Sequence, residues 1–309
     1  MFNYLLSITY HPLPLLSLIH LIAEPLTFTF MRNAIAIGFL LGILSAIVGS
    51  YLILQQMGMM GGVISHAVLP GISIAFFLEI NLAIGAFIAG MLSAVVVIGI
   101  EKRSYIKVDS AMALTLSSFL ALGIILINLL KTNQIDLSSI LFGDILSVTT
   151  QDVWQTAIIT GLIIILTKLF YKELEFYTFD PIGAKACGLP VKSLHFGLIC
   201  AITLTIVASM QTVGVLLVMS LLVGPGMTAY LLIRELWQMM LVGAMVGIFS
   251  SISGMYISYY YDLPSGAAIV MTIFGCFLLA LLFSPSQGII NTPQNRHKLS
   301  FIIRNLLDK

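Results

Sequence analysis

The sequence predicts an all-α integral membrane protein with about nine transmembrane helices, a short cytoplasmic helix and an interfacial or re-entrant helix. Charged residues make up only 9% of the 309 residues, and hydrophobic residues make up 59%. In a soluble domain about 25% of the residues are charged. The apolar runs are each about 17–25 residues long, the length at which a helix crosses the hydrocarbon core. The formal charge of +1 gives no indication of a nucleic-acid partner.

The apolar runs divide the chain into three regions. Residues 1–31 form an N-terminal extracytoplasmic or interfacial segment, residues 32–288 a polytopic transmembrane domain, and residues 289–309 a cytoplasmic tail. An odd number of crossings places the two chain ends on opposite sides of the membrane. The predicted spans are residues 33–54, 62–80, 82–100, 109–130, 153–172, 195–211, 213–233, 237–259 and 264–284.

The distribution of basic residues predicts the orientation of these spans. Alternation places all the lysines and arginines on one side except Arg32 and Lys131. Cytoplasmic segments carry the excess of basic residues in membrane proteins. The N-terminus is therefore predicted outside the cell, and the central polar stretch, residues 173–193, in the cytoplasm.

The segment between the fourth and fifth spans, residues 131–148, is too short and too interrupted to cross the membrane. We expect an interfacial or re-entrant helix there, since irregular backbone at membrane depth is tolerated where it lines a cavity. Asp144 lies in this segment. Its carboxylate is predicted either to face an outer vestibule on the metal pathway or to lie on the helix surface.

Within the central polar stretch, residues 181–186 are predicted to form a short helix. Asp180 is placed to cap it, and Pro181 stands at the first helical position, where a missing N–H has no cost. Gly188 ends it, and a proline two residues later prevents its resumption. This helix either binds another protein or belongs to an ordinary cytoplasmic loop.

The second span carries an ionisable residue, His66, in its inner half. Pro70, one turn later, frees the carbonyl of His66 from its helical partner and can bend the helix. An imidazole inside a membrane is costly unless paired, and neutral imidazole is a common metal ligand. The alternative is an imidazole that hydrogen-bonds a carbonyl or a hydroxyl such as that of Ser65.

Two glycine patterns occur within the predicted spans. Gly224, Pro225 and Gly226 interrupt the seventh span, and we expect a break that acts as a hinge or lines a passage. Gly243 and Gly247 form a GxxxG pair, which is predicted to pack against a second copy of the chain. Glycines that occur in membrane helices without any such contact are the alternative.

Several classes of chemistry have no motif in this sequence. There is no GxxxxGK[ST] for ATP binding, no HExxH and no GxSxG. The three cysteines form no CxxC pattern, and the methionines are mostly core residues. Met57, Met59 and Met60 are alternative soft metal ligands at the inner mouth of the transmembrane domain.

Because the sequence has no motif for ATP binding, any active transport across the membrane must be energised by another protein. The predicted cytoplasmic helix, residues 181–186, is where that coupling could occur.

Five separated stretches resemble the permease family of bacterial ABC importers for manganese, zinc or iron. The resemblance extends from about Glu24 to Gly288. The stretches are Gly61–Gly71, Leu141–Leu146, Phe179–Pro190, Val213–Ala229 and Asp262–Ala268.

The resemblance implies an assembly in the bacterial plasma membrane. Two copies of the permease form the pathway for a divalent metal ion, and an extracytoplasmic metal-binding protein docks above them. Two ATPase subunits bind ATP below them, so this chain itself holds no cofactor and is not the enzyme. The metal pathway would include His66. Each ATPase would contact the coupling helix, at Asp180, Pro181, Ala184, Gly188 and Leu189.

Three positions at and before the second span depart from the pattern of the family. Members usually carry an Asp-x-x-x-His pair in the second span, but here Gly62 stands at the acidic position and Gln55 and Gln56 at basic positions. The ion then takes oxygen ligands from water, carbonyls or another chain, or it binds more weakly in transit. Weak binding is compatible with transport, because the ion must also leave.

Three functional classes remain open from the sequence. The leading hypothesis is an ATP-driven manganese importer subunit, with zinc and iron as alternative cargoes. The second is a secondary transporter that needs no ATPase. The third is an intramembrane enzyme, which the missing motifs disfavour.

Overall fold

The structure is a computed structural model that describes residues 23–130, 143 and 145–284. Within these ranges there is no β-strand, and nine helices are long and apolar enough to cross a membrane. Two shorter helices, α6 and α7, lie between the fifth and sixth crossings, and a 3-10 turn, Ile145–Ser147, precedes the fifth. The helices are α1 Thr29–Leu54, α2 Met60–Phe77, α3 Leu82–Arg103, α4 Val108–Leu129, α5 Thr150–Leu169, α6 Tyr171–Phe179, α7 Pro181–Ala186, α8 Val191–Val213, α9 Val215–Leu232, α10 Leu236–Tyr261 and α11 Ser265–Phe283.

The nine predicted spans are confirmed, with each end within a few residues of the helix observed. The tight turns between them have identifiable local causes. Asn81 caps α3 by accepting a hydrogen bond from the Ala83 N–H at 2.9 Å, and Thr149 and Asp152 form a capping box at the start of α5. Residues 131–142 and Asp144 lie outside the described residues, as do residues 1–22 and 285–309. The predicted interfacial or re-entrant helix and the cytoplasmic tail therefore stay predictions.

Helices α1 and α2 form the centre of the bundle. Helix α1 packs against α5, α9 and α10, and its contact with α10 is the most extensive between any two described helices. Helix α2 packs against α3 and α4. Most residues of both central helices are buried within this single chain, whereas fewer than a third of the residues in the apolar parts of α3, α4, α5 and α11 are buried.

The GxxxG pair of α10 packs inside the chain, so the prediction that Gly243 and Gly247 contact a second copy is wrong. A Cβ at Gly247 would lie 3.0 Å from the Cα of Gly42 on α1, and one at Gly243 would lie 3.3 Å from the Cβ of Ala46. Small residues on both helices let the two backbones approach closely. The motif thus joins two helices of one chain.

The seventh span is also different from the prediction. Helix α9 continues without a break through Gly224, Pro225 and Gly226. The glycines serve close packing: a Cβ at Gly224 would overlap Ile273 of α11, and one at Gly226 would lie 3.2 Å from the backbone of Gly49 on α1. Pro225 is buried within this contact. The stretch therefore lets α9 fit between two neighbours.

A tight contact between α1 and α9 gives a stability prediction. A Cβ at Gly49 would overlap the carbonyl oxygen of Leu222, which is backbone and cannot rotate away. We expect Gly49→Ala to destabilise the protein by about 1–3 kcal/mol, the usual cost of overpacking. The measurement is thermal unfolding of the purified protein in detergent.

Gly99→Ala on α3 is the matched control. No heavy atom of the described residues lies within 4 Å of the added Cβ, apart from those of its own chain neighbours and helix. Alanine also has a better helix propensity than glycine. Its midpoint should be equal to or above that of the wild type, and equal loss in both variants would contradict the packing argument.

Candidate functional site

The imidazole of His66 lies partly buried in α2, and its Nδ1 is buried without a hydrogen-bond partner among the described residues. The neighbouring Ser65 is fully buried, and its Oγ also has no partner in the described part of the chain. The alternative in which Ser65 satisfies His66 is therefore not observed. Pro70 lies inside the same helix, and its ring nitrogen cannot donate to the His66 carbonyl. One turn of α2 thus carries polar atoms that its own helix does not satisfy.

Gly62 lies one turn before His66, on the same side of α2. A Cβ at this position would lie 2.7 Å from Cε of Met219 on α9 and 3.4 Å from Cδ1 of Leu116 on α4. The space that an acidic side chain would need is thus occupied by the end of the Met219 thioether. The missing carboxylate on α2 coincides with a methionine that reaches in from another helix.

Gly62 and Met219 line a cavity of 620 Å³, which we call the methionine cavity. Its wall is largely apolar, with polar groups at the turn between α1 and α2 and at the start of α4. The residues around it are Ile53, Gln56, Gly58, Met59, Gly62, Asp109, Leu116, Met219, Val223, Met227, Tyr230, Leu231 and Phe277.

A second cavity of 490 Å³ lies next to it, and we call it the elbow cavity. Gln56 and Asp109 line both cavities, which are therefore adjacent. Its remaining wall comes from the C-terminal ends of α1 and α3, from α6 to the start of α7, and from the start of α8. The residues around it are Leu54, Gln55, Gln56, Met57, Glu101, Val108, Asp109, Tyr177, Thr178, Pro181 and His195.

The elbow cavity contains a hydrogen bond between two helices. The Tyr177 hydroxyl on α6 lies 2.6 Å from Nδ1 of His195 on α8. Burial raises the pKa of Tyr177, and the negative charge of Glu101 adds to this effect, while the Gln55 amide opposes it. An unperturbed tyrosine is already neutral at physiological pH, and the raised pKa keeps the Tyr177 phenol in this protonated form. This hydrogen bond connects the short helix α6 to the membrane-crossing helix α8.

Helix α7 has the capped geometry predicted from its sequence. The Gly183 N–H donates to Oδ1 of Asp180 at 2.8 Å, and Pro181 occupies the first turn. At the other end Gly188 has a φ of +82°, a left-handed conformation that glycine adopts without strain, and the Leu189 N–H donates to the Ala184 carbonyl at 3.0 Å.

The two faces of α7 differ in exposure. Ala184 is completely buried against the protein. Ile182, on the opposite face, is 83% exposed, and Lys185 is also exposed. A short, capped helix outside the membrane-crossing helices thus exposes an apolar side chain on its outer face.

The structure brings together only part of the predicted site. Gly62, Ser65, His66 and Pro70 share α2, whereas Gly224–Gly226 lie in a packing contact and Asp144 lies outside the described residues. In the described part of the chain, no three His, Cys, Asp or Glu side chains are close enough to hold a metal ion.

Sequence reasoning missed the residues that complete the two cavities. These are Glu101, Asp109, Tyr177, His195 and Met219. Asp109 and His195 stand at the ends of spans that the sequence predicts to face the cytoplasm, so their common level could have been inferred. The approach of Met219 to Gly62 connects residues 157 positions apart, counted as 219 minus 62, and has no local signal.

The described residues have the architecture of a transporter permease: nine helices long and apolar enough to cross a membrane, a short capped helix outside them, and adjoining cavities between them. The sequence carries no nucleotide-binding motif. The chain belongs to the ABC 3 transport family, whose model matches residues 27–284. It is thus a multi-pass membrane protein and the permease subunit of an ABC transporter, as the resemblance implied.

Individual relatives agree with this assignment. The manganese transport system membrane protein MntC of Listeria monocytogenes is 43% identical over 263 residues, covering 85% of this chain and 94% of the relative. The chelated iron transport system membrane protein YfeD of Yersinia pestis is 40% identical over 267 residues, covering 86% and 90%. The solved structure of PsaBC from Streptococcus pneumoniae in complex with Fab has a TM-score of 0.79 at 38% identity, covering 87% of this chain and 97% of that chain.

Proposed function

We propose that the chain is the permease of an ATP-driven importer of divalent metal ions, with manganese as the principal cargo. Two copies form the translocation pathway. Two separate ATPase subunits hydrolyse ATP on the cytoplasmic side, each binding at residues 180–189, and an extracytoplasmic protein delivers the ion. The contact between the two permeases uses surfaces other than Gly243 and Gly247.

The observation that carries this proposal is the adjacency of the two cavities. The methionine cavity begins at Gly62 on α2, one turn from His66, and the elbow cavity ends at Tyr177 and Pro181 beside α7. Gln56 and Asp109 belong to both. Movement of α7 by a bound ATPase would therefore change the shape of the space through which an ion leaves α2.

Oxygen-rich groups along this route suit a divalent cation. The elbow cavity offers the carboxylates of Glu101 and Asp109 and the amides of Gln55 and Gln56. Carboxylate, carbonyl and water ligands are typical for manganese, and imidazole suits zinc and iron as well. Manganese is favoured because the MntC relative is named for its transport. Iron, which appears in the name of the YfeD relative, and zinc are the alternative cargoes.

The test is metal uptake by proteoliposomes that contain the permease, the ATPase subunits and the metal-binding protein. We expect uptake of radioactive manganese only when ATP is supplied to the ATPase side. Uptake driven by an ion gradient without the ATPase would instead support a secondary transporter. Uptake of zinc or iron in preference to manganese would keep the mechanism and change the cargo.

A further inference from the structure

Met219 occupies a position with direct consequences for the choice of cation. Its Cε and Sδ lie 2.7 and 3.8 Å from the position that a Cβ at Gly62 would take. Because Gly62 has no side chain, the polarisable thioether of Met219 can occupy the space beside it. The level of α2 just below His66 is therefore lined by sulfur, and Gly62 contributes no carboxylate there.

Two other methionines line the same cavity. Met59 lies before α2 and Met227 lies two turns after Met219 on α9, and both are substantially exposed, at 45% and 39%. Asp109 is the carboxylate in the lining of this cavity, and it lies at the boundary with the elbow cavity. An ion in the methionine cavity thus meets thioethers before it meets a carboxylate.

We propose that Met219 contacts the transported cation and broadens the range of cargo towards softer divalent ions. This inference rests on the proposed function and specifies the selectivity of the same pathway. Thioether ligands favour soft metals, whereas manganese favours oxygen ligands. A passage with sulfur at this level discriminates against zinc, ferrous iron and cadmium less than a passage with a carboxylate. Gly62 and Met219 act as a pair, because glycine makes the room that the thioether occupies.

The test uses cadmium as a soft probe and manganese as a hard one. The permease–ATPase complex, without the metal-binding protein, is equilibrated with each radioactive ion by dialysis, and the ratio of the two dissociation constants is determined. Met219→Leu removes the sulfur and keeps the volume. We expect its cadmium affinity relative to manganese to fall by about tenfold, the lower end of the range for altered metal environments.

Met245→Leu is the matched control for this substitution. Met245 is 62% exposed on α10 and lines neither cavity. The ratio in Met245→Leu should equal that of the wild type. An unchanged ratio in Met219→Leu, or the same change in both variants, would overturn the proposal.

A double substitution tests the pairing and guards against a folding defect. Gly62→Asp alone forces the Met219 side chain aside, whereas Gly62→Asp combined with Met219→Ala gives the carboxylate room. We expect the double variant to favour manganese over cadmium more strongly than Gly62→Asp alone or Met219→Ala alone. A ratio equal to that of the wild type in the double variant would contradict the inference. Absence of ATP-dependent uptake by the wild type would contradict the proposed function instead, so the two failures are distinguishable.

Discussion

Ile182→Asp is expected to abolish ATP-driven uptake and to leave the permease folded. Ile182 is 83% exposed on the outer face of α7, whereas Ala184 anchors the helix from the opposite face. An apolar side chain on a short exposed helix is suited to burial in a partner, and an aspartate buried in the same contact would lose its hydration. We expect a loss of about 2 kcal/mol or more in ATPase binding, roughly 30-fold in affinity.

The measurement is co-purification of the ATPase subunits together with uptake in proteoliposomes. Ile106→Asp is the matched control, because Ile106 is also exposed, at 54%, and lies between α3 and α4, on the side of the membrane that alternation assigns to α7. It should retain both ATPase binding and uptake. If Ile182→Asp still binds the ATPase and transports at the normal rate, α7 is not the coupling element.

The positions of the spans could be predicted because the bilayer imposes a length on every crossing. An apolar run of the right length has few other structures available to it, and the predicted ends therefore agree with the helices. The capped α7 was also predictable, since Asp180, Pro181 and Gly188 act through contacts within a few residues. Local chemistry was sufficient in both cases.

Contacts between helices could not be predicted in this way. The GxxxG pair of α10 indicates a close helix contact, but the pattern contains no information on whether the partner is α1 or a second copy. Similarly, the sequence at Gly224, Pro225 and Gly226 is typical of a helix break. In the structure α9 stays helical there and packs against α1 and α11. In both cases tertiary packing decided between structures that the sequence leaves open.

The same reasoning explains how much of the candidate site was predictable. His66 was identified because an ionisable residue in an apolar span is unusual. The relation between Gly62 and Met219 depends on how α2 packs against α9, which a single sequence does not reveal. The sequence therefore indicated the helix that carries the candidate site, while the surroundings of that helix required the structure.

His66→Ala is expected to reduce transport strongly while increasing stability. The Nδ1 atom of His66 is buried and lacks a hydrogen-bond partner among the described residues, so the folded protein bears the desolvation cost of a polar atom without compensation. Alanine removes this unsatisfied atom at a position that is only partly buried, so little packing is lost, and we expect a higher unfolding temperature. Loss of a group that supports metal binding costs roughly 10–100-fold in affinity or activity, and uptake should fall by that factor.

His195→Ala is the matched control for the stability measurement. His195 lies on α8 and its Nδ1 is hydrogen-bonded to the Tyr177 hydroxyl at 2.6 Å. Its removal leaves a buried hydroxyl without this partner, which typically costs about 1–3 kcal/mol. The unfolding temperature of His195→Ala should therefore fall.

The two histidines thus give opposite signs for the same substitution. A histidine retained for structure loses stability when it is replaced, as expected for His195. A histidine that serves its cargo loses activity and gains stability, because nothing in the described part of the fold satisfies its Nδ1. If His66→Ala instead lowered the unfolding temperature and left manganese uptake and its KM unchanged, His66 would be a structural residue and the ion would pass α2 without contacting it.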